Sequence, residues 1–277
     1  MNYRHHFHAG NFADVMKHAV LIALIDAMRA QGPVRLIETH AGAGLYDLEG
    51  EVARRTGEAE AGAGRLMTAA HLPGSLAGLK RIVQAENPTG DLRLYPGSPL
   101  VALAALGAGD AYVGCELRPD DAAALQTLLA SRGRGASAQA LATDGYAALE
   151  ARLGQASKGR GDLVLIDPPY ERGDDYDRAA EAVAVCRARG AAVALWAPIK
   201  DLETLDALVR RIEVLAPRRL IVAEVRLRPL INPMKMNGST MLLVDTPNIV
   251  AEVEAICRWT AVHCGEAGAR GVVSADF

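Results

Sequence analysis

Apolar runs of strand length alternate with alanine-rich stretches of helical length along most of this chain. In the clearest run, Leu163–Ile166, four consecutive apolar residues lie between Asp162 and Asp167. A strand that is buried on both faces gives such a continuous run, and strand–helix alternation indicates a mostly parallel sheet with helices on both faces. The sequence predicts seven strands, at Val34–Thr39, Ala111–Leu117, Ala138–Thr143, Asp162–Ile166, Ala191–Ala197, Leu220–Leu227 and Thr240–Asp245. The predicted helices between and after them include Pro119–Ser131, Tyr176–Arg189, Leu202–Leu215 and Ile249–Val262.

The stretch between Gly44 and Ser98 breaks this alternation. It contains one helical pattern, Leu76–Glu86, and no convincing strand, and the remainder is rich in glycine, proline and charge. A chain of 277 residues fits one large domain or one domain that carries an insertion. The sequence therefore predicts a main domain of residues 1–46 and 96–277, with residues 47–95 as a small inserted helical subdomain.

The formal net charge of -3 excludes a protein that is held to nucleic acid by overall charge alone. A local basic surface stays open, because residues 210–240 hold seven Lys or Arg and two Glu, a formal charge of +5. Arg226, Arg228 and Lys235 lie close to the predicted loop Pro229–Ser239, which follows the sixth strand. This segment either contacts phosphates or is a solvated basic face.

Four cysteines are spread along the chain without the C-x-x-C or C-x-x-H spacing of a zinc site: Cys115, Cys186, Cys257 and Cys264. We interpret them as free thiols of a protein in a reducing cytosol. The polar start does not have a signal-peptide pattern, and the apolar run Ala19–Ala30 contains Asp26 and is too short to span a bilayer. The sequence therefore predicts a cytoplasmic protein that does not enter a membrane. Oligomeric state leaves no trace in the sequence, and a monomer is the default expectation.

Ligands of an open parallel sheet bind beyond the carboxyl ends of its strands, where this sequence places glycines and acids. Gly42 and Gly44 supply a tight turn, Glu116 is suited to accept hydrogen bonds from ribose hydroxyls, and Asp144-Gly145 lies where a base amino group can be bound. Taken singly, each is also explained by a plain turn, a solvated acid or a helix cap. In sheet order they predict a nucleoside-binding crevice.

The predicted crevice lacks the motifs that bind a pyrophosphate. Gly44 is followed by Leu45, Tyr46 and Asp47, so G-x-G-x-x-G is absent, and no G-x-x-x-x-G-K-[ST] loop occurs. A cofactor without a pyrophosphate, such as S-adenosylmethionine, needs fewer backbone amide donors and fits this pattern.

The motif Asp167-Pro168-Pro169-Tyr170 directly follows the strand Asp162–Ile166. Two prolines remove two backbone donors and hold the chain extended, which leaves carbonyl groups free. The Asp167 carboxylate and the Pro168 carbonyl can then accept both hydrogens of one exocyclic amine, while Tyr170 stacks on the base that carries it. Two acceptors localise the lone pair of the amine and stabilise the positive charge that develops as it attacks a methyl group. The motif therefore predicts methyl transfer to an aryl amine.

The sequence resembles the ribosomal RNA large subunit methyltransferase J family. The motifs that carry the resemblance are Tyr3-Arg4-His5-His6-Phe7-His8-Ala9-Gly10-Asn11-Phe12-Ala13-Asp14-Val15-Met16-Lys17-His18, Thr39-His40-Ala41-Gly42-Ala43-Gly44, Tyr95-Pro96-Gly97-Ser98-Pro99 and Asp167-Pro168-Pro169-Tyr170. The resemblance implies a Rossmann-like class I methyltransferase fold. It also implies transfer of a methyl group from S-adenosylmethionine to the N6 amine of a specific adenine in 23S rRNA.

The resemblance also assigns residues. Cofactor contacts go to His18, His40, Ser98, Glu116, Asp144, Gly145 and Asp167, and Asp167 is also the catalytic residue. Substrate contacts go to Tyr3, His5 and Lys17, beside Pro168 and Tyr170 from the motif chemistry. Tyr3, His5 and Lys17 are then expected to form a lid that brings the N-terminus beside Asp167.

Several alternatives stay open at the level of sequence. Lys17 and His18 lie near the start of an amphipathic helix that runs to Ala30, where an ordinary solvated face explains them as well. The N-terminal histidines suggest a metal cluster, but a metal has no role in this chemistry, and none is expected. A DNA adenine methyltransferase shares the Asp-Pro-Pro-Tyr motif, a non-catalytic RNA-binding protein shares the fold, and a nicotinamide oxidoreductase lacks its fingerprint here.

Overall fold

A computed structural model describes residues 8–49, 57–132, 135–154, 159–229 and 236–276. The strands are β1 Val34–Glu38, β2 Leu45–Asp47, β3 Leu94–Pro96, β4 Ala111–Glu116, β5 Ser137–Ala142, β6 Gly161–Ile166, β7 Ala192–Ile199, β8 Leu220–Arg226, β9 Gly238–Val244 and β10 Arg270–Asp276. The α-helices are α1 Phe12–Arg29, α2 Arg65–Thr68, α3 Gly74–Glu86, α4 Ser98–Ala105, α5 Pro119–Arg132, α6 Gly145–Leu153, α7 Asp175–Ala188, α8 Leu202–Glu213 and α9 Val250–Cys264. A π-helical turn, Glu60–Gly64, leads into α2.

Eight strands form the main sheet in the order β10-β8-β9-β7-β6-β1-β4-β5. Neighbours among β1, β4, β5, β6 and β7 pair in parallel, whereas β9 runs antiparallel to both β7 and β8, and β10 runs antiparallel to β8. The strand order reverses at β1, which pairs with β4 on one side and β6 on the other. This reversal opens a crevice at the carboxyl ends of the strands.

Hydrophobic side chains fill both faces of the sheet. One core joins α1, α3, α4 and α9 to residues such as Leu36, Leu163 and Leu243, and the other joins α6, α7 and α8 to Ile37, Val164 and Leu242. Because neighbouring residues of one strand point to opposite faces, a sheet with helices on both faces needs the continuous apolar runs that the sequence contains. The predicted α/β class with helices on both faces is confirmed.

All seven predicted strands are present, and their ends differ from the prediction by at most two residues. The main sheet has an eighth strand, β10, which was not predicted. Its pairing with β8 sets Arg270 opposite Arg226 and Asp276 opposite Leu220, and it is only partly buried. An exposed edge strand lacks the continuous apolar run that marks a central strand.

The prediction of no strand between Gly44 and Ser98 was wrong. Strands β2 and β3 form a two-stranded antiparallel sheet that sets Tyr46 opposite Tyr95. The strands have three residues each and are separated by most of the inserted segment, so no local sequence signal marks their pairing. The described helices between them, α2 and α3, agree with a mainly helical insertion. The division into a main domain and a 47–95 subdomain stays a prediction.

Helix α1 is buried on every side along its first fourteen residues, Phe12–Ile25. Asn11 caps it by accepting hydrogen bonds from the backbone N–H groups of Ala13 and Asp14, which satisfies donors that no helical carbonyl can reach. Its neighbours are α3, α4, α9 and the π-helical turn. The predicted amphipathic pattern is therefore wrong over this part, and the alternative of a solvated face does not apply to it. Across the described ranges, every helix is too short or too polar to traverse a bilayer.

Candidate active site

A cavity of about 870 Å³ opens at the carboxyl edge of the sheet. Seven of the predicted site residues line it, namely Lys17, His40, Ser98, Glu116, Asp167, Pro168 and Tyr170. Three others lie close by but do not line it, namely His18, Asp144 and Gly145. Tyr3 and His5 lie outside the described residues. In the part of the chain that the structure describes, no group of three or more His, Cys, Asp or Glu side chains is arranged to bind a metal ion.

The turn after β1 and the acid that ends β4 build one wall of this cavity. Glu116 accepts hydrogen bonds from the backbone N–H of Gly42 at 3.0 Å and from that of Arg118 at 2.9 Å, one to each carboxylate oxygen. Gly42 has φ +65°, which strains other residues, and a Cβ there would overlap the hydroxyl of Tyr46, so the position favours glycine. A carboxylate has about four acceptor positions, so Glu116 keeps capacity for ribose hydroxyls.

The remainder of this wall fits the other parts of S-adenosylmethionine. Leu117 lines the cavity and is 52% exposed, a large apolar surface suited to the face of a base. Ser98 begins α4 and is buried. Burial lowers the pKa of His40 to about 4, so its ring is neutral near pH 7. The Glu116 carboxylate, the close backbone at Gly42 and these side chains together suit a nucleoside without a pyrophosphate.

The three predicted contacts that do not line the cavity support its wall. His18 is fully buried, and its Nδ1 lies 3.0 Å from the hydroxyl of Tyr95. Asp144 caps α6 and pairs with Arg178 at 2.9 Å. Burial opposes ionisation of Asp144, but these hydrogen bonds lower its pKa. Gly145 packs against the backbone of Thr39, where a Cβ would overlap the carbonyl oxygen. Their roles as cofactor contacts stay predictions.

Asp167 lies directly beyond β6 and is bound by a cation from α1. The Nζ of Lys17 lies 2.5 Å from Asp167 Oδ2 and 2.9 Å from Asp14 Oδ1. Burial alone would lower the pKa of Lys17, but attraction to Asp14 and Asp167 outweighs it and raises that pKa well above its usual range. Lys17 is therefore a buried cation, and the alternative of a solvated helix face is excluded.

Tyr170 closes the Asp-Pro-Pro-Tyr motif in a conformation that is rare for a bulky residue, with φ +50°. Its hydroxyl donates to the carbonyl of Trp196 at 2.7 Å, and its ring centroid lies 4.4 Å from that of Tyr176. Burial is the main cause that raises its pKa well above the usual range. Pro168 is buried and lines the cavity beside it. The surrounding contacts hold the strained turn and fix the motif at the cavity edge.

The segment before α1 is bound to the inserted segment. The ring nitrogen Nδ1 of His8 lies 2.9 Å from Glu58, and the side-chain amide of Asn11 donates to the same oxygen at 3.3 Å. The backbone N–H of Ala63 donates to the carbonyl of Gly10 at 2.8 Å. His8, Asn11 and Glu58 all line the cavity that Asp167 lines. The start of the described chain therefore lies beside the site, while the lid residues Tyr3 and His5 remain untested.

Sequence reasoning missed two residues that the structure places at Asp167. Asp14 is buried, accepts from the backbone N–H of Gly10 at 2.9 Å and pairs with Lys17. The ring of Trp196 lies 5.7 Å from the Lys17 Nζ. Asp14 lies three positions before Lys17, a spacing that allows contact in a helix, and this was the available signal.

A doubly wound sheet that ends in three antiparallel-paired strands, with an acid beside a glycine turn and Asp-Pro-Pro-Tyr at the switch point, defines a class I methyltransferase. Comparisons with known proteins agree. The family model described as ribosomal RNA large subunit methyltransferase D, RlmJ, matches residues 31–275. The chain belongs to this family, so S-adenosylmethionine is its methyl donor, and the suspected resemblance is confirmed.

Named relatives and a solved structure support the assignment. Ribosomal RNA large subunit methyltransferase J of Escherichia coli is 36% identical over 250 residues, which cover 89% of this chain and 88% of the relative. The protein of the same name from Haemophilus influenzae is 32% identical over 251 residues, with the same coverage of 89% and 88%. A crystal structure of a Legionella pneumophila protein is 25% identical, with a TM-score of 0.86, and the match covers 96% of this chain and 98% of that one.

Proposed function

We propose that the protein transfers a methyl group from S-adenosylmethionine to the N6 amine of a specific adenine in 23S rRNA, with Asp167 as the catalytic residue. The observation that carries this proposal is the hydrogen bonding of the two Asp167 carboxylate oxygens. Its Oδ2 is bound by Lys17, while within the described residues its Oδ1 accepts no hydrogen bond, and the carboxylate lines the cavity. One acceptor atom is therefore available to a substrate amine at the edge of the nucleoside crevice.

In the proposed mechanism, Asp167 and Pro168 orient the amine. Asp167 Oδ1 accepts one hydrogen of the amine and the Pro168 carbonyl accepts the other, which turns the lone pair of N6 toward the crevice. S-adenosylmethionine, when bound, supplies the electrophilic methyl group. As positive charge develops on N6, the Asp167 carboxylate stabilises it, and Asp167 Oδ1 then accepts the released proton.

Lys17 positions this acceptor. The cation holds Oδ2, so that the other oxygen of the carboxylate keeps one direction. Asp14 pairs with the same cation and holds it in place beside Asp167. Near-attack geometry of this kind is the main contribution a protein makes to an in-line transfer.

An adenine amine inside a helix or stack is not accessible, so the target base must be unstacked into the cavity, at a cost of a few kcal/mol. Tyr170 is proposed to stack on that base. Tyr3 and His5, with Lys17, are proposed to contact the target nucleotide as a lid. A cytoplasmic location follows from the proposed substrate, because ribosomes assemble there.

The test is methylation of purified 23S rRNA, with the modified nucleotide read by mass spectrometry. We expect N6-methyladenosine at one position, and the loss of that signal in rRNA from a strain in which the gene is deleted. Duplex DNA is the parallel substrate. Methylation of DNA but not rRNA, or of an atom other than N6, would overturn the proposal.

A further inference from the structure

The cavity extends past Asp167 into a lobe that the proposed contacts with cofactor and target base leave unused. We define this phosphate lobe by the residues that line it: Trp196, Pro198, Lys200, Leu227, Arg228 and Met236. They come from the carboxyl ends of β7 and β8 and from the residues just before β9. The lobe thus lies on the same edge of the sheet as Asp167.

Strand geometry aims these side chains at the lobe. Side chains two apart on a strand point to the same face, and Trp196, Pro198 and Lys200 follow this spacing along β7 and one residue beyond it. In the ladders, Ile199 of β7 and Arg226 of β8 are both opposite Gly238 of β9. The two strands therefore end at the same level, about 10 Å apart, which is twice the usual distance between neighbouring strands.

Asn237 fixes the two strand ends to one another. Its side-chain amide donates to the carbonyl of Lys200 at 2.9 Å, and its backbone N–H donates to that of Ile199 at 2.8 Å. Its own carbonyl accepts from the N–H of Leu227 at 2.9 Å. The backbone positions of Lys200 and of the residue before Arg228 are therefore set by the side chain and the backbone of one buried residue.

The charge of this lobe differs from that of the rest of the cavity. Elsewhere the cations are paired, Lys17 with two carboxylates and Arg118 with Asp121 at 2.9 Å. Among the described residues, no carboxylate lies within 4.0 Å of Lys200, since no ion pair includes it. Within the same described residues, the ion-pair partner of Arg228 is Glu266 at 3.4 Å, whose side chain is 60% exposed, so water screens the pair. The lobe therefore presents two cations to an anion.

We propose that the phosphate lobe binds the phosphodiester group beside the target adenosine, with Lys200 and Arg228 contacting its oxygens and the Trp196 ring supporting the neighbouring sugar or base. Trp196 connects the lobe to the reacting centre, because its ring centroid lies 5.8 Å from that of Tyr170 and 5.7 Å from the Lys17 Nζ. A nucleotide whose base reaches Asp167 extends its backbone along this ring. The inference rests on the proposed function and adds a specific contact to it.

The first experiment measures RNA affinity as a function of salt for Lys200→Gln, Arg228→Gln and the double variant. Because both side chains contact one phosphate, the double variant should lower the magnitude of the slope of log K against log salt by about 0.7 to 0.9, and we expect each single variant to weaken binding by about tenfold. Calorimetry should give S-adenosylmethionine affinity equal to that of the unaltered protein. The matched control is Arg210→Gln, which removes an exposed arginine that pairs with Asp206 and does not line the cavity.

The second experiment locates the phosphate. An RNA fragment whose linkage next to the target adenosine is replaced by a neutral methylphosphonate should bind the unaltered protein more weakly by a similar factor. The double variant should bind the two fragments equally, because it lacks the two cations that would contact the phosphate charge. If the methylphosphonate weakened RNA binding equally for the unaltered protein and the double variant, the lobe would not be the phosphate site.

The outcomes separate this inference from the function it rests on. If the unaltered protein methylates adenine N6 and all three variants match it in RNA affinity and salt slope, the phosphate lobe is refuted and the proposed function stands. If RNA affinity depends on Lys200 and Arg228 but the methylated atom is not adenine N6, the proposed function is refuted and the lobe stands.

Discussion

Strand β6 has an aspartate near each end, and each is paired with a buried cation. Near its start, Asp162 pairs with Arg35, which lies opposite it on β1. Just beyond its end, Asp167 pairs with Lys17 from α1, which lies 150 positions away in sequence. The side chains are similarly buried, at 13% and 16% exposure for Asp162 and Asp167. Burial and charge alone therefore do not distinguish a structural pair from a functional one.

The two ion pairs differ in how many carboxylate oxygens the cation binds. Arg35 binds Asp162 through two parallel hydrogen bonds, Nε to Oδ1 at 2.7 Å and Nη2 to Oδ2 at 2.8 Å, so the guanidinium faces both oxygens. Lys17 is a point charge that binds one oxygen of Asp167 and is shared with Asp14. The bidentate pair joins two strands, whereas the single contact holds a carboxylate in place and leaves it one acceptor for a ligand.

The largest expected effect is loss of methyl transfer on Asp167→Ala. The variant removes the acceptor that orients and stabilises the amine, and we expect a fall in turnover of about 10³-fold or more. Lys17 keeps Asp14 as a partner, so the fold should remain, with a thermal melting temperature close to that of the unaltered protein. Turnover at the normal rate would contradict the assigned role.

Asp162→Ala is the matched opposite of that variant. It leaves Arg35, a buried cation, without its bidentate partner, and the free energy of unfolding should fall by about 3 kcal/mol. Turnover per folded molecule should stay near that of the unaltered protein, because Asp162 does not line the large cavity. If this variant lost turnover without losing stability, the comparison between the two ends of β6 would be wrong.

Glu38 extends the comparison of buried acids to one without a cation. It lies at the same edge of the sheet as Asp167, and within the described structure no cation pairs with it. It ends β1, is fully buried and accepts a hydrogen bond from the hydroxyl of Tyr112. Burial raises its pKa to about 7. The folded state then favours the protonated form, so stability is lost as pH rises from the ordinary pKa through about 7.

The variant Glu38→Gln cannot ionise and keeps an oxygen that accepts from Tyr112. Relative to the unaltered protein, it should gain about 3 kcal/mol of unfolding free energy between about pH 4 and pH 8, measured by denaturant titration. Glu254→Gln on the exposed face of α9 is the control and should show no such dependence. A constant difference across this range would show that burial does not raise the pKa of Glu38 above that of the unfolded chain.

The positions at the strand ends could be predicted from the sequence, because they depend on local patterns. The continuous apolar run before Asp167 and the acid after Ala111–Cys115 mark buried strands, and the carboxyl ends of such strands meet at one edge. The motif chemistry at Asp167 and Glu116 follows from residue type. Edge strand β10 and the β2–β3 pair could not be predicted, since an exposed edge and three-residue strands leave no periodic signal.

The partners of the site residues depend on tertiary packing and were missed for that reason. Lys17 looks like any lysine on a helix until α1 packs against α3, α4 and α9 and its solvent is excluded. Lys200 gives no signal at all in the sequence, because its importance comes from β7 and β8 ending at the same level. The basic segment 210–240 was only partly informative, since Arg226 pairs with Glu224 at 2.6 Å whereas Arg228 lines the cavity.

The smallest expected effect concerns a third ion pair, between His8 and Glu58, whose side chains are 43% and 36% exposed. The hydrogen bond that the His8 ring donates to the Glu58 carboxylate is the main cause that raises the pKa of His8. The added stability of this contact is therefore present below the ordinary pKa of histidine and is lost as pH rises through the raised value. Because exposed pairs contribute little, Glu58→Gln should raise the KM for RNA by roughly threefold at about pH 6.

The pH dependence distinguishes this contact from simple packing. At about pH 8.5, where His8 is neutral, Glu58→Gln should differ from the unaltered protein by less than about twofold. Glu60→Gln, an exposed acid in the adjacent turn, is the control and should leave KM unchanged at both pH values. Turnover at saturating RNA should stay the same, because Asp167 keeps Lys17. An equal rise of KM at both pH values would mean that Glu58 supports the N-terminal segment by shape alone, so that this pair, unlike the two on β6, owes nothing to its charge.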